Sequence, residues 1–288
     1  MKVLKGDREK NLQRLGFDPI LNTTKNKISH ISYSKWTRLR KAFNDFEFLI
    51  DLSKISKPVS RAYFKLLEMM GDHKLVDSNN SLHLAEAPGG FIEATRYLKN
   101  REKITGITYY TFSVLGDVTI PTYNRNLIYD RNILVLSNKK NRGDLYSIEN
   151  IKTLISKIGD KNISFITCDG GFTENNDFAS KEQLHHHLIF NEIVTSIFIL
   201  KDSGNLIVKI FDIFTELTFD FVYLLSYLFK EVYISKPNTS RPTSSEKYII
   251  CKGFIKSRLD KKLEKFIMIL CQNGIENYSS FIDKSYVN

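Results

Sequence analysis

Four stretches of this sequence carry residues that can do chemistry. Cys168-Asp169-Gly170-Gly171 ends an apolar run, Ile163 to Cys168, with a carboxylate and two glycines. If the run is a strand, Asp169 stands at its carboxyl end and the glycines keep its surroundings open. An Asp-Gly pair also simply ends strands in turns. Asn205-Leu206-Ile207-Val208-Lys209-Ile210-Phe211 places a lysine among apolar, β-favouring residues. Burial there disfavours the ammonium and lowers its pKa, which would make Lys209 a usable base. The alternative is an edge lysine that discourages strand pairing. Leu84-Ala85-Glu86-Ala87-Pro88-Gly89-Gly90-Phe91 reads as a strand, a glycine-rich turn and a helix start, where a ligand can approach bare backbone. The turn is not G-x-G-x-x-G, which disfavours a nicotinamide dinucleotide. Ser240-Arg241-Pro242-Thr243-Ser244-Ser245-Glu246-Lys247-Tyr248 is a polar loop that leads a carboxylate into a strand. Its arginine and hydroxyls suit phosphate contacts, or are simply solvated.

The elements that must hold these residues alternate. A helix is expected from Ser60, as its cap, to Met70, with Gly71 as its stop. Strands are expected at Ser81–Ala85, 103–110, Ile163–Cys168, Asn205–Phe211, Glu231–Ser235 and Lys247–Cys251. Helices are expected at Phe91–Leu98, Lys181–Lys201, Leu217–Phe229 and, near the end, Ser257–Cys271. Alternation of this kind means parallel β-α-β units with a ligand crevice at the carboxyl ends of the strands. The short link between the last two strands favours an antiparallel pair.

The chain has 288 residues, 42% of them hydrophobic, enough for one large α/β domain with flanking pieces. Lys and Arg total 42 against 32 Asp and Glu, a net charge of +10, which points to a polyanionic partner and first to nucleic acid. The basic stretch Lys35–Lys41 includes the single tryptophan, Trp36. It could stack on a base, or Trp36, Leu39 and Phe43 could pack on the main domain. Three cysteines without a C-x-x-C pair argue against a disulfide framework or zinc knuckle, and for a reducing compartment. No signal peptide or membrane span is expected. His185-His186-His187 sit at adjacent helical positions, point apart and cannot converge on one ion, so no metal is expected and exposed histidines are the simpler reading.

Taken together, Ser60–Glu68, Ala87–Phe91, Asp169–Gly171, Val208–Asp212 and Lys236–Glu246 resemble the FtsJ-type RNA ribose 2′-O-methyltransferases. The last segment and the Lys209 run are most similar to the eukaryotic and large-DNA-virus mRNA cap branch, including asfarvirus-like proteins. The resemblance spans about residues 56 to 255. It implies a Rossmann-like methyltransferase domain at 56–256 with a mostly parallel sheet and an antiparallel last strand. A basic N-terminal extension (1–55) and a charged helical tail (257–288) then flank it. It also implies S-adenosyl-L-methionine as cofactor and a catalytic tetrad of Lys65, Asp169, Lys209 and Glu246. The cofactor residues implied are Ala87, Pro88, Gly89, Gly90, Phe91 and Asp169, with Thr108 near the ribose and Asp144 and Leu145 at the adenine. Arg61, Ser240, Arg241 and Ser244 lie beside the tetrad and are expected to contact RNA.

The implied reaction is methyl transfer to a ribose 2′-hydroxyl, on the first transcribed nucleotide of capped mRNA, with Lys209 as base at a pKa below that of free lysine. Other capping or transcription proteins would be partners, and the cytoplasm (a viral factory or virion for a viral protein) or the nucleus the location. The alternatives are a ribosomal or transfer RNA methyltransferase, a non-catalytic RNA-binding subunit with this fold and, more weakly, a small-molecule methyltransferase.

Overall fold

The computed structural model describes residues 30–47, 58–77, 79–114, 122–171 and 181–282, together with residues 20, 23, 24 and 27. The expected domain boundary near residue 55 and part of the 116–141 stretch lie outside the described residues. Along the chain come α1 (Tyr33–Ala42), α2 (Ala62–His73), β1 (Asn80–Leu84), α3 (Gly90–Arg101), β2 (Tyr109–Phe112), α4 (Arg125–Ile128) and β3 (Ile133–Val135). Then follow α5 (Ile148–Ile158), β4 (Ile163–Cys168), α6 (Lys181–Leu184), α7 (His186–Ile199), β5 (Asn205–Ile210), α8 (Glu216–Leu228), β6 (Phe229–Ser235), β7 (Lys247–Phe254) and α9 (Lys261–Asn273).

The seven strands form one sheet in the order β3-β2-β1-β4-β5-β7-β6. β7 runs antiparallel to both β5 and β6, and the other pairings are parallel. The chain order thus reverses between β1 and β4, which opens a crevice at their carboxyl ends.

Period-two alternation sorts side chains onto two faces. Leu206, Val208 and Ile210 of β5, with Ile166 and Cys168 of β4 and Ile249 and Cys251 of β7, join the larger core under α7, α8 and α9. Phe165, Ile207, Tyr248 and Ile250 point the other way, into a core with Leu66, Met69 and Met70 of α2 and Phe91 and Leu98 of α3. The same parity places Asp169, Lys209 and Glu246 toward the α2 side.

Several expectations change. Ser60 does not cap α2: Arg61 holds the cap position without a side-chain bond, and the helix runs through Gly71 to His73. The long helix expected at Lys181–Lys201 is interrupted by a single turn residue, His185, between α6 and α7, and α7 ends at Ile199. The second strand starts only at Tyr109, not at residue 103. β3 and α5 lie where no element was expected. The histidines are not an exposed set: His185 and His186 are buried, His185 Nδ1 beside the Lys181 carbonyl and His186 Nε2 against Thr215 and Thr218. His187 pairs with Glu276. The segment read as a charged tail packs Ile267, Leu270, Cys271, Ile275 and Phe281 into the larger core. Among the described residues no helix is long and apolar enough to cross a membrane, and no His, Cys, Asp and Glu group could hold a metal.

Candidate active site

Register brings the tetrad together. Lys209 on β5 is paired with Tyr248 on β7, so Glu246, two residues before Tyr248, lies on the same face just outside the strand. Asp169 follows β4, and its backbone N–H donates to the Leu84 carbonyl, tying the ends of β4 and β1. Lys65 reaches in from α2, one residue before buried Leu66. Its ammonium sits 2.6 Å from Glu246 Oε1. Lys209 Nζ lies 3.3 Å from Asp169 Oδ1 and donates to the Asp169 carbonyl at 2.6 Å. Gly171 leaves room for this contact, since a Cβ there would stand 3.1 Å from Lys209 Nζ.

A fifth residue joins the two pairs. The Tyr248 hydroxyl lies 3.0 Å from Asp169 Oδ1 and 2.9 Å from Glu246 Oε1, and the residue is fully buried. One phenol proton serves two carboxylates, and both neighbours push the hydroxyl pKa further above the range that burial alone would set. A sixth is Glu192 of α7, fully buried behind the glycines. Its Oε1 accepts the Gly170 N–H at 3.1 Å, and its Oε2 has no partner among the described residues. Burial raises its pKa to about 8.

The electrostatics reverse one expectation. Burial does work to lower the Lys209 pKa, but Asp169, Glu246 and Glu192 together outweigh it, and the net shift is upward. Lys209 is therefore an ammonium in the protein as it stands. Glu246 shows the complementary effect. Burial would raise its pKa, but Lys65 and Lys209 and the hydrogen bonds from Lys65 and Tyr248 hold it down at about 2.

The Gly-rich turn lies beside this group. Gly89 has φ +115, a conformation that L side chains rarely adopt, and a Cβ there would overlap Leu127, so the turn's own backbone needs glycine. Glu86 opens the turn. One of its oxygens accepts the Phe91 N–H, while Oε2 is buried with no partner among the described residues. Burial pushes this carboxyl well above its ordinary pKa. An orphaned buried carboxylate oxygen there fits a ligand that brings an ammonium, as the amino-acid end of S-adenosylmethionine does. Asp144 is half-buried and accepts the Tyr146 N–H, and the Leu145 side chain is buried. Thr108 stands apart: it precedes β2, at the strand end away from the crevice, and Ser113 holds the crevice end. Ser113 Oγ accepts the Ala87 N–H at 3.3 Å.

The residues expected to meet RNA gather next to Lys65, already engaged. Glu47 forms ion pairs with both Arg61 and Arg241, and Arg61 also donates to the Thr239 carbonyl. Ser240 is buried and accepts from Lys236, which also donates to the Ser244 carbonyl. Glu68 of α2 fixes the same loop by accepting from the Asn238 and Thr239 backbone N–H groups.

Sequence reasoning missed Tyr248, Glu68, Glu86 and Glu192 as parts of the site. The alternation signal could have found Tyr248, two residues after Glu246. Glu86 adjoins the Ala87–Phe91 turn and Glu68 lies one helical turn after Lys65, while nothing local marks Glu192.

The family model for FtsJ-like methyltransferases matches residues 58–254. "Probable methyltransferase EP424R" of African swine fever virus (isolate Pig/Kenya/KEN-50/1950) is 29% identical over 212 residues, covering 68% of this chain and 49% of that protein. "Cap-specific mRNA (nucleoside-2'-O-)-methyltransferase 2" of Drosophila melanogaster is 29% identical over 259 residues, covering 83% of this chain and 37% of that protein. "Cap-specific mRNA (nucleoside-2'-O-)-methyltransferase 1A" of Caenorhabditis briggsae is 31% identical over 175 residues, covering 59% of this chain and 20% of that protein. The chain thus spans half or less of the length of these relatives.

Proposed function

The chain belongs to the FtsJ-like methyltransferase family, and from that premise we propose that it transfers a methyl group from S-adenosylmethionine to a ribose 2′-hydroxyl of RNA, at the first transcribed nucleotide of capped mRNA. The observation that carries the reading is the convergence of Lys65, Asp169, Lys209 and Glu246, from four separate elements, into one hydrogen-bonded group beside the Gly-rich turn. The cap-specific names of the fly and nematode relatives support the choice of substrate.

When bound, the cofactor would supply an electrophilic methyl on a sulfonium sulfur, a leaving group that keeps the C–S bond electrons. Glu86 and the Ala87–Phe91 turn would hold its amino-acid end, and Asp144 its adenine. The protein's remaining task is to place a hydroxyl, a poor nucleophile at neutral pH, and to remove its proton. Lys65, held by Glu246, and Asp169 orient the hydroxyl. Lys209 takes its proton, and must first become an amine, because the surrounding carboxylates keep it charged at rest. That same charge favours a second reading, in which Lys209 stays an ammonium and only steers the oxygen.

A methyl-transfer assay on capped, uncapped and N7-unmethylated RNA, with nuclease mapping of the product, tests the substrate. The expected product carries the methyl on the first transcribed nucleotide of capped RNA. Equal activity at an internal site of uncapped RNA would move the proposal to ribosomal or transfer RNA.

A further inference from the structure

The site is not built by residues 58–254 alone. A cavity of about 620 Å³ opens beside Lys65 and Glu246, and its wall includes Trp36 and Arg40 of α1 as well as Arg61 and Arg241. That volume falls within the usual range for ligand pockets, roughly 300–1,000 Å³. The charged residues of the wall are mostly Lys and Arg, with Asp212 and Glu246 the acidic ones among the described residues. Trp36 and Arg40 are four apart, so they share one face of the helix.

α1 does not bury its apolar stripe as a packing helix would. Phe43, which caps the end of α1, is 67% exposed, and Trp36 within the helix is only half-buried although it is the chain's single tryptophan. Arg40 Nε is buried with no hydrogen-bond partner among the described residues. The orientation is fixed from behind: Asn44, buried, donates to Glu47, and Glu47 grips Arg61 and Arg241 of the main domain. An aromatic face and a guanidinium, set in a basic cavity, are the parts that take a nucleobase and its phosphate.

We propose that α1 completes the RNA site, with Trp36 stacking on the nucleobase that flanks the acceptor ribose and Arg40 meeting the adjoining phosphate. The assignment rests on the RNA methyltransferase reading, because Lys65 and Glu246 line the same cavity as Trp36. The flanking base can belong to the cap or to the transcript, and both bring the same flat π surface.

Trp36 is its own probe, since it is the chain's only tryptophan. The full chain is titrated with capped RNA, uncapped RNA and RNA made abasic on either side of the acceptor. Binding is followed by anisotropy of labelled RNA and by tryptophan emission. Stacked bases should quench Trp36 saturably, and the abasic RNA should not. Whichever of the capped and uncapped arms quenches identifies the source of the base. Trp36→Ala should weaken RNA binding roughly five- to hundredfold with S-adenosylmethionine affinity unchanged, and Trp36→Phe should restore most of it. RNA that binds without changing Trp36 emission, or that binds wild type and Trp36→Ala alike, overturns the assignment. In that case RNA methylation by the wild type leaves the catalytic reading standing. Quenching without any methyl transfer would do the reverse, and an absence of RNA binding would overturn both.

Discussion

Tyr248→Phe is the sharpest single change to the site, because it removes one oxygen and no volume. That oxygen lies 3.0 Å from Asp169 Oδ1 and 2.9 Å from Glu246 Oε1 in a fully buried place. A hydrogen bond to a charged group contributes about 1.5–3 kcal/mol. One proton shared between two acceptors gives no more than that range, and Lys209 and Lys65 still pair with the two carboxylates after its loss. The expected cost in stability is therefore about 1–2 kcal/mol, read from the urea midpoint at constant slope. The expected effect on catalysis is a single-turnover rate about tenfold lower, equivalent to ~1.4 kcal/mol in the barrier, with cofactor affinity unchanged. A purely structural tyrosine would not move the pH profile. Loss of this donor should raise the Glu246 pKa from about 2, because the Tyr248 bond is one of the interactions that hold it down. The acid limb of the rate profile should then shift upward. A variant with wild-type stability, within ~0.5 kcal/mol, and an unchanged rate would refute the idea that Tyr248 couples the two ion pairs.

Three further outcomes follow from the same geometry. Glu86→Gln keeps the shape but cannot ionise against the ligand's ammonium, and calorimetry should show S-adenosylmethionine binding weakened about tenfold or more. Gly89→Val should lower the melting temperature as well as cofactor binding, because φ +115 and the overlap with Leu127 make the substitution strained in the protein itself; a fully stable variant would restore the simpler idea of blocked ligand space. Glu192 holds its proton up to about pH 8 when folded and releases it near its ordinary value when unfolded. The folded state thus binds more protons across that window, and stability falls as pH rises through it, by at most about 1.4 kcal/mol per unit. Glu192→Gln should remove that slope, and identical wild-type and variant slopes between pH 5 and 8 would contradict it.

What could be read from the sequence was what lies within one element. Ile163–Cys168 is an uninterrupted apolar run closed by Asp169, and the strand appears with those bounds. Lys209 inside Leu206–Phe211 was legible as buried, and it is. Its upward pKa shift was not, because the carboxylates responsible come from β4, α7 and the loop before β7. β3 escaped because it is three residues long, with Leu134 and Val135 on the surface. α5 was legible and overlooked: Ile148, Ile151, Leu154, Ile155 and Ile158 follow helical spacing, and Ser147 caps them. The histidine triplet misled because adjacent helical positions excluded a shared metal but said nothing of the burial of His185 and His186. The tetrad itself was reached through resemblance, since Lys65 and Glu246 are 181 residues apart and only the docking of α2 brings them together.

The most direct test of the account is the single-turnover rate of methyl transfer to bound RNA as a function of pH, for wild type and Lys209→Arg. Lys209 is an ammonium at rest, so the wild-type rate should climb through neutral pH into the alkaline range and level off only as Lys209 loses its proton. Arginine keeps the positive charge beside Asp169 but cannot release a proton in this range. Lys209→Arg should bind cofactor and RNA nearly normally and transfer almost no methyl. A pH-independent wild-type rate together with substantial turnover by Lys209→Arg would contradict the base assignment and leave Lys209 as a charge that positions the ribose.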